Sequence, residues 1–129
     1  MTQWTSDQLD KVGRAEELQI ASVRRDGTLR KPVTIWVVRQ GDDVYVRSVK
    51  GRSAHWFRGT QEKHEGRIRA GGVQQDVTFV DAGHDIDDDV DAAYRAKYRR
   101  YTGGILNSVL TPDARSTTIK LVPRSTTGM

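Results

Sequence analysis

The sequence has no cysteine among its 129 residues, and this absence removes several kinds of chemistry at once. A chain without cysteine forms no disulfide, has no thiol nucleophile and offers no cysteine ligand to zinc or to an iron–sulfur cluster. The sequence also lacks any apolar run that approaches the roughly 20 residues of a membrane-spanning helix. With a hydrophobic content of 36% and a charged content of 29%, the composition indicates a soluble globular protein.

Other absences narrow the interpretation further. The amino terminus is polar and acidic and lacks the cationic and apolar regions of an export signal, so we expect a cytoplasmic location. The three histidines, His55, His64 and His84, include no pair at metal-ligand spacing, so we expect no metal site. There is no internal repeat or linker, and the length predicts one domain over residues 1–129.

Positive charge is concentrated in one part of the chain. The formal net charge is only +4, but the segment from Arg24 to Arg52 carries eight cations and three acids. Most single charges of this kind belong to a solvated surface. A cluster that coincides with a loop between a strand and a helix instead favours an anionic ligand.

The stretch from Lys31 to Arg58 dominates the interpretation. Val33 to Arg39 is a nearly unbroken β-branched and aromatic run, which predicts a strand buried on much of both faces. Val44 to Val49 alternates, which places one face toward the core and the face of Arg47 toward water or a ligand. The loop Lys50-Gly51-Arg52-Ser53 follows, with a glycine that lets the backbone approach an anion, two cations and a hydroxyl. This loop is the best candidate phosphate site in the sequence.

Turn and periodicity signals predict the remaining elements. Further strands are expected at Leu18 to Val23, Gly66 to Ala70, Asp76 to Asp81 and Ser116 to Val122, with turns at Asp26-Gly27 and Gly71-Gly72. Short helices are expected from Thr5 to about Val12 and from Ser53 to about Glu62, and a long helix from Asp85 to Tyr101, closed by Gly103-Gly104.

About six strands, one long helix and two short helices make up this prediction. Many short consecutive strands with tight turns favour an antiparallel barrel with the helices packed outside it, which is an α+β arrangement. The stripe Tyr94, Tyr98 and Tyr101 on the long helix is more typical of a core or dimer contact than of a substrate platform.

A series of short motifs runs along the chain: Asp26-Gly27, Arg30-Lys31-Pro32, PVTIWVV, VYVRS, the Lys-Gly-Arg-Ser loop with Trp56, a DAAYRAKY helix and a closing TTIKLVP strand. In these motifs the sequence resembles the split-barrel flavoprotein superfamily, which includes pyridoxamine phosphate oxidase-like and deazaflavin-dependent nitroreductase-like proteins. The resemblance covers most of the chain from Leu18 to Arg124 and is to a small, poorly characterised branch.

This resemblance implies a six-stranded split β-barrel that forms a homodimer, with FMN or a deazaflavin in the groove between the subunits. The residues that it implies for cofactor binding are Lys31, Thr34, Trp36, Arg47, Ser48, Lys50, Gly51, Arg52 and Ser53. The cofactor ring would carry out the hydride transfer, while the protein would hold the phosphate and orient the ring. The resemblance implies no particular substrate or catalytic residue.

We therefore expect a small oxidoreductase that uses FMN or a deazaflavin and acts on a small molecule. Two alternatives stay open. One is a binding protein that carries a flavin or haem without turnover. The other is a nucleic-acid-binding barrel, in which aromatic residues beside cations stack on bases. The small charge excess and the absence of a recognition motif disfavour the nucleic-acid alternative.

Overall fold

The computed structural model describes residues 3–101 and 104–124. The strands are β1 (Leu18–Ser22), β2 (Val33–Ile35), β3 (Val38–Gln40), β4 (Asp43–Val46), β5 (Glu65–Ala70), β6 (Val73–Asp81) and β7 (Ile119–Pro123). The α-helices are α1 (Ser6–Arg14), α2 (His55–Lys63), α3 (Asp87–Lys97), α4 (Gly104–Asn107) and α5 (Pro112–Arg115). Short 3-10 turns at Gly51–Ser53 and His84–Ile86 precede α2 and α3.

The seven strands form one antiparallel sheet in the order β2-β1-β5-β6-β7-β4-β3. β2 and β3 lie at opposite ends of this order, although only Trp36 and Val37 separate them in the chain. The sheet must therefore curl until its two edges come close together. The result is a curled half-barrel, and the α+β prediction holds at this level.

The prediction of a single strand from Val33 to Arg39 is wrong. Its first half pairs with β1, its second half pairs with β4, and the chain crosses between the two sheet edges at Trp36 and Val37. Val33 is exposed, so the run is not buried on both faces along its length. This break raises the number of strands in the described residues from the expected six to seven, and the short α4 and α5 raise the number of helices from three to five.

Local signals placed several elements correctly. Thr5 forms a capping box with Gln8 at the start of α1. Gly27 adopts a φ of 92° in the turn between β1 and β2, and Gly71 and Gly72 adopt positive φ in the turn between β5 and β6. The long helix is shorter than expected, because residues 84–86 form a 3-10 turn and the helix ends at Lys97. Gly103, part of the expected stop, lies outside the described residues.

Two apolar clusters stabilise the fold. The larger one lies inside the curl of the sheet and includes Leu18, Ile20, Val46, Ile68, Phe79 and Leu121. The smaller one lies between α3 and the strands β3 and β4, and it contains Val38, Tyr45, Val90, Tyr94, Tyr98 and Val109. Tyr94 and Tyr98 are thus core residues, while Tyr101 is half-buried at the edge of this cluster. Within the described part of the chain, no helix has the length and apolar character needed to cross a membrane.

Candidate functional site

Two neighbouring cavities lie beside β2, one of the two edge strands of the curled sheet. One, of about 260 Å³, is mainly apolar and is lined by Thr34, Ile35, Trp36, Arg47, Val49, Trp56, Ile105, Ser108 and Val109. The other, of about 220 Å³, is cationic and is lined by Ile20, Ser22, Arg24, Arg30, Lys31, Val33, His55 and Trp56. Both cavities contact Trp56, so its indole stands between an apolar compartment and a cationic one.

The β1–β2 hairpin and the start of α2 together form the cationic cavity. Arg30 donates its backbone N–H to Ser22, which brings the two ends of the hairpin together beside Lys31. His55 and Trp56 are the first two residues of α2 and close the cationic cavity from the other side. Cations from the hairpin therefore face the start of a helix.

The start of α2 is favourable to an anion. Its N-cap residue is Ala54, which has no side chain able to accept from the helix, and its first turn contains no acid. The first N–H groups of a helix have no partner within the helix and carry a partial positive charge. The backbone donors at this end and the cations of the cavity would thus both attract an anion.

The cations of this cavity differ in how far they are already engaged. The Arg30 guanidinium lies 2.9 Å from the Glu62 carboxylate, and its Nε has no hydrogen-bond partner within residues 3–101 and 104–124. Arg24 donates to Leu29 and Thr28 within the hairpin. Lys31 is exposed and has no ion pair or hydrogen bond to any residue that the structure describes. Lys31 is therefore the cation that is most available to a ligand.

Strand alternation predicts that the face of Arg47 meets water or a ligand. Arg47 does not meet water, although it lines the apolar cavity. Its side chain is 0% exposed, and its Nη1 lies 2.5 Å from the Asp91 carboxylate of α3. The guanidinium also donates to Thr118 and to the carbonyl oxygens of Asp87 and Val109. The face opposite to Val44 and Val46 is covered by α3 and the segment before β7. Arg47, on this face, therefore forms a buried ion pair with Asp91.

The Lys50–Ser53 loop packs away from both cavities. Gly51 has a φ of 71°, and a Cβ there would lie 3.1 Å from Asp113 of α5. The Arg52 guanidinium donates to the carbonyl of Ser116 and lies over the Phe57 ring, while the Ser53 hydroxyl donates to the carbonyl of Lys50. The glycine and the two polar groups thus serve local contacts, and Lys50 stays exposed.

The structure brings together only part of the expected cofactor site. Thr34, Trp36 and Arg47 line the apolar cavity, and Lys31 lines the cationic one. Ser48, Lys50, Gly51, Arg52 and Ser53 line neither cavity. Ser48 is buried, and its backbone N–H donates to Thr117.

Trp36 packs against Tyr98, the residue directly after α3. Its indole is stacked on the Tyr98 ring, with 4.0 Å between the ring centroids and 5° between the planes. The Tyr98 hydroxyl accepts from the N–H of Val37 at 3.1 Å, and Lys97 Nζ donates to the carbonyl of Val37 at 2.7 Å. Burial raises the pKa of Tyr98 to about 12 and lowers the pKa of Lys97 to about 8. Tyr98 therefore stays protonated and can donate at neutral pH.

Comparison with family models assigns the chain to a protein family. Residues 8–121 match the family described as "Uncharacterized protein conserved in bacteria (DUF2255)". The chain belongs to this family. Comparison of this DUF2255 chain with curated proteins gives no match.

Solved structures share its fold at low sequence identity. The protein Atu2129, of unknown function, from Agrobacterium tumefaciens str. C58 matches with a TM-score of 0.63 and 11% identity, over 95% of this chain and 55% of that chain. The DUF2255 chain thus spans about half the length of that protein. A protein described as an F420 reductase matches with a TM-score of 0.52 and 18% identity, over 90% of each chain. The FAD and heme binding protein from Mycobacterium smegmatis matches with a TM-score of 0.52 and 15% identity, over 95% of this chain and 67% of that chain.

These similarities show the fold alone, and at that level they agree with the resemblance to split-barrel flavoproteins. Several residues that line the cavities were not among the expected site residues: Arg24, Arg30, Val49, His55, Trp56, Ile105, Ser108 and Val109. For Arg24 and Arg30 a signal existed, because a hairpin at Asp26-Gly27 brings flanking positions close together. No local pattern indicated that the segment from Ile105 to Val109 would close the apolar cavity.

Proposed function

We propose that this DUF2255 chain binds a flavin-type nucleotide, FMN or a deazaflavin, and acts as a small oxidoreductase on a small-molecule substrate. The observation that carries the proposal is the juxtaposition of the two cavities across Trp56, one apolar and bounded by indoles, the other cationic. A flavin-type nucleotide has the matching pair of parts, a planar ring system and an anionic phosphate. Similar folds in proteins described as an F420 reductase and as an FAD and heme binding protein support the same ligand class.

The residues present fit such a group. Ligand sites in proteins usually have volumes of about 300–1,000 Å³ and combine apolar walls with a few placed polar groups. The two cavities, of about 260 and 220 Å³, together reach this range. Trp36 and Trp56 offer flat apolar surfaces for the ring, and Lys31 offers an ammonium without a partner in the described residues.

We assign the phosphate to the start of α2 rather than to the Lys50–Ser53 loop. At the start of α2, backbone N–H groups of an uncapped helix lie beside Arg30 and Lys31. In the loop, Arg52 and Ser53 are already engaged by backbone carbonyls. Lys31, Thr34 and Trp36 thus keep their expected roles, while Arg47 acts only by supporting the wall of the apolar cavity.

When bound, the cofactor supplies the hydride chemistry. The chain's own residues do the rest. Trp36 and Ile35 would shield one side of the ring from water, and Lys31 with the α2 backbone would compensate the phosphate charge. A low-dielectric wall on one side and fixed donors on the other orient the ring without further rearrangement.

We further propose that the site is completed by a second copy of the chain. β2 is the last strand at its edge of the sheet and pairs on its outer side with none of the residues that the structure describes. Val33, Val49 and Ile105 are large apolar residues exposed around the cavities, and Ile105 is 60% exposed. A homodimer across this edge would cover these side chains and close the ring cavity.

A fluorescence titration with two matched lysine variants tests the cofactor proposal. The protein is titrated with FMN and with a deazaflavin cofactor, and binding is followed by the loss of tryptophan emission. Loss of one charge-assisted contact to phosphate costs about 1.5–3 kcal/mol, so we expect Lys31→Gln to weaken binding by about ten- to a hundredfold. Lys50→Gln changes a similarly exposed cation outside both cavities and should leave the affinity within twofold.

The outcomes separate the possibilities. Absence of binding of either cofactor by the wild-type protein contradicts the proposal. A large effect of Lys50→Gln together with no effect of Lys31→Gln would assign the phosphate to the Lys50–Ser53 loop. Tight binding without turnover of any electron donor or acceptor would mark the protein as a carrier rather than an oxidoreductase.

A further inference from the structure

The point where the chain crosses from β2 to β3 has an unusual backbone environment. Val37 lies between the two strands and takes no part in the pairing registers of either one. A buried backbone N–H or carbonyl without a partner is costly. Here both groups of Val37 are satisfied by side chains at the carboxyl end of α3. The N–H donates to the hydroxyl of Tyr98, the residue directly after the helix, and the carbonyl accepts from Lys97 Nζ.

The same two side chains fasten this crossing to the end of α1. The Tyr98 hydroxyl lies 2.7 Å from the carbonyl oxygen of Glu16, and Lys97 Nζ lies 2.6 Å from the carbonyl oxygen of Ala15. Lys97 has no carboxylate within ion-pair distance among the described residues, so its donors are used on backbone carbonyls alone. α3 therefore joins the crossing and the carboxyl end of α1 through four backbone groups.

Trp36 is the residue next to this anchored position, and its ring lines the apolar cavity. One face of the indole is covered by Tyr98 in a nearly parallel stack. Tyr101 lies against the indole at a tilted angle, with 5.2 Å between the ring centroids. Neither tyrosine lines the apolar cavity, so each can affect a ligand there only through Trp36.

We propose that Tyr98 and Lys97 are positioning residues of the cofactor site, which fix the indole of Trp36 in the orientation that receives the ring. The proposal rests on the proposed function, since it assigns Trp36 to the cofactor ring. Tyr98 fixes the indole by stacking, and both residues fix the adjacent Val37 backbone. A wall held in place before binding avoids the cost of ordering it during binding.

The test uses three variants and one matched control. Tyr98→Leu removes both the stack and the hydroxyl, Tyr98→Phe keeps the stack and removes the hydroxyl, and Lys97→Met keeps the stem and removes the amine. Tyr94→Phe is the control: Tyr94 is fully buried in the same cluster, is tilted against Tyr98, and its hydroxyl has no well-formed hydrogen bond to the part of the chain that the structure describes. Any general effect of removing a buried tyrosine hydroxyl appears in this control.

Two measurements are made on each variant. The first is acrylamide quenching of Trp36 in the cofactor-free protein. It is obtained for each variant by subtracting the signal of the same variant that also carries Trp36→Phe. The second is the dissociation constant for FMN and for the deazaflavin. We expect quenching of Trp36 to increase in Tyr98→Leu and less in Tyr98→Phe and Lys97→Met, with no change in Tyr94→Phe. Ordering one side chain during binding corresponds to about two- to twelvefold weaker affinity, and we expect a loss of this size in Tyr98→Leu.

Each result decides the proposal. If the folded variants are less stable but Trp36 quenching and cofactor affinity match the control, the two residues are purely structural and the proposal is overturned. If Tyr98→Leu does not fold, Tyr98→Phe and Lys97→Met decide by the same readouts. If the wild-type protein binds neither cofactor, the proposed function fails, and quenching then shows separately whether Tyr98 fixes the indole.

Discussion

The guanidinium of Arg47 and the carboxylate of Asp91 meet in the interior, 2.5 Å apart, and join β4 to α3. Both side chains are nearly inaccessible, with exposed fractions of 0% and 8%. Arg115 supports the pair from α5, with its Nη2 3.0 Å from Asp91. The helix that ends at Lys97, directly before Tyr98, is thus tied to the barrel wall beneath the apolar cavity.

Removal of one charge from this pair should be strongly destabilising. Asp91→Asn leaves a buried guanidinium without its main counter-charge, and broken buried pairs typically cost about 3–5 kcal/mol. We expect a loss of this size in the free energy of unfolding, measured by urea denaturation. Lys11→Gln removes a solvent-exposed pair with Asp7 and should cost no more than about 1 kcal/mol. Equal effects of the two substitutions would show that the Arg47 pair contributes no more than a surface contact.

Gly66 allows β5 to approach its neighbours closely. A Cβ at this position would lie 2.3 Å from the carbonyl oxygen of Ala21 and 2.6 Å from the Phe79 ring. Overpacking typically costs about 1–3 kcal/mol, and a clash with backbone lies at the upper end or beyond it. We expect Gly66→Ala to lower the melting temperature sharply. Gly104→Ala is the control, since a Cβ there would have no described residue within 4 Å, and a similar loss in both variants would contradict this explanation.

Lys97 should make stability depend on pH. Burial lowers the pKa of its ammonium from 10.5 to about 8, so between these values the unfolded chain holds a proton that the folded chain has released. Stability rises with pH wherever the unfolded state binds more protons, so the free energy of unfolding should increase as pH rises above 8. Burial raises the pKa of Tyr98 to about 12, which opposes this rise only above the ordinary tyrosine pKa of 10.

Urea denaturation between pH 7 and pH 9.5 measures this effect below the tyrosine range. Lys97→Met keeps most of the buried stem but cannot titrate, so the rise in stability should be absent from that variant. A wild-type curve parallel to that of Lys97→Met would contradict the assignment of the rise to Lys97.

The exposed apolar residue Ile105 should lie in the interface of the proposed homodimer. We expect the wild-type protein to sediment as a dimer and Ile105→Glu to weaken the dimer, since burying an unpaired carboxylate is unfavourable. Val80→Glu is a matched control, because Val80 is also an exposed large apolar residue but lines neither cavity. Analytical ultracentrifugation over a range of concentrations makes the comparison. A monomeric wild-type protein, or a dimer that only Val80→Glu disrupts, would contradict the proposed interface.

The sequence allowed prediction of features that depend on neighbouring residues. The N-cap residue Thr5 indicated the start of α1, and Asp26-Gly27 and Gly71-Gly72 indicated two of the turns. Each of these signals acts over two to four residues, where backbone conformation follows directly from side-chain chemistry.

Features that depend on distant pairing could not be predicted in this way. The run from Val33 to Arg39 has strand propensity throughout, but propensity does not state which neighbour each half joins. Alternation correctly placed Arg47 opposite Val46, yet its partner Asp91 is 44 residues away. The cavities also depend on contacts between distant residues, since Trp56 and Lys31 come together only when α2 packs on the β1–β2 hairpin.

A crystal structure of the protein at saturating FMN or deazaflavin tests the central claim most directly. The account predicts the ring in contact with Trp36 and Trp56, and the phosphate at the backbone N–H groups that begin α2, beside Lys31. A ring bound elsewhere, or a phosphate held at the Lys50–Ser53 loop, would contradict it.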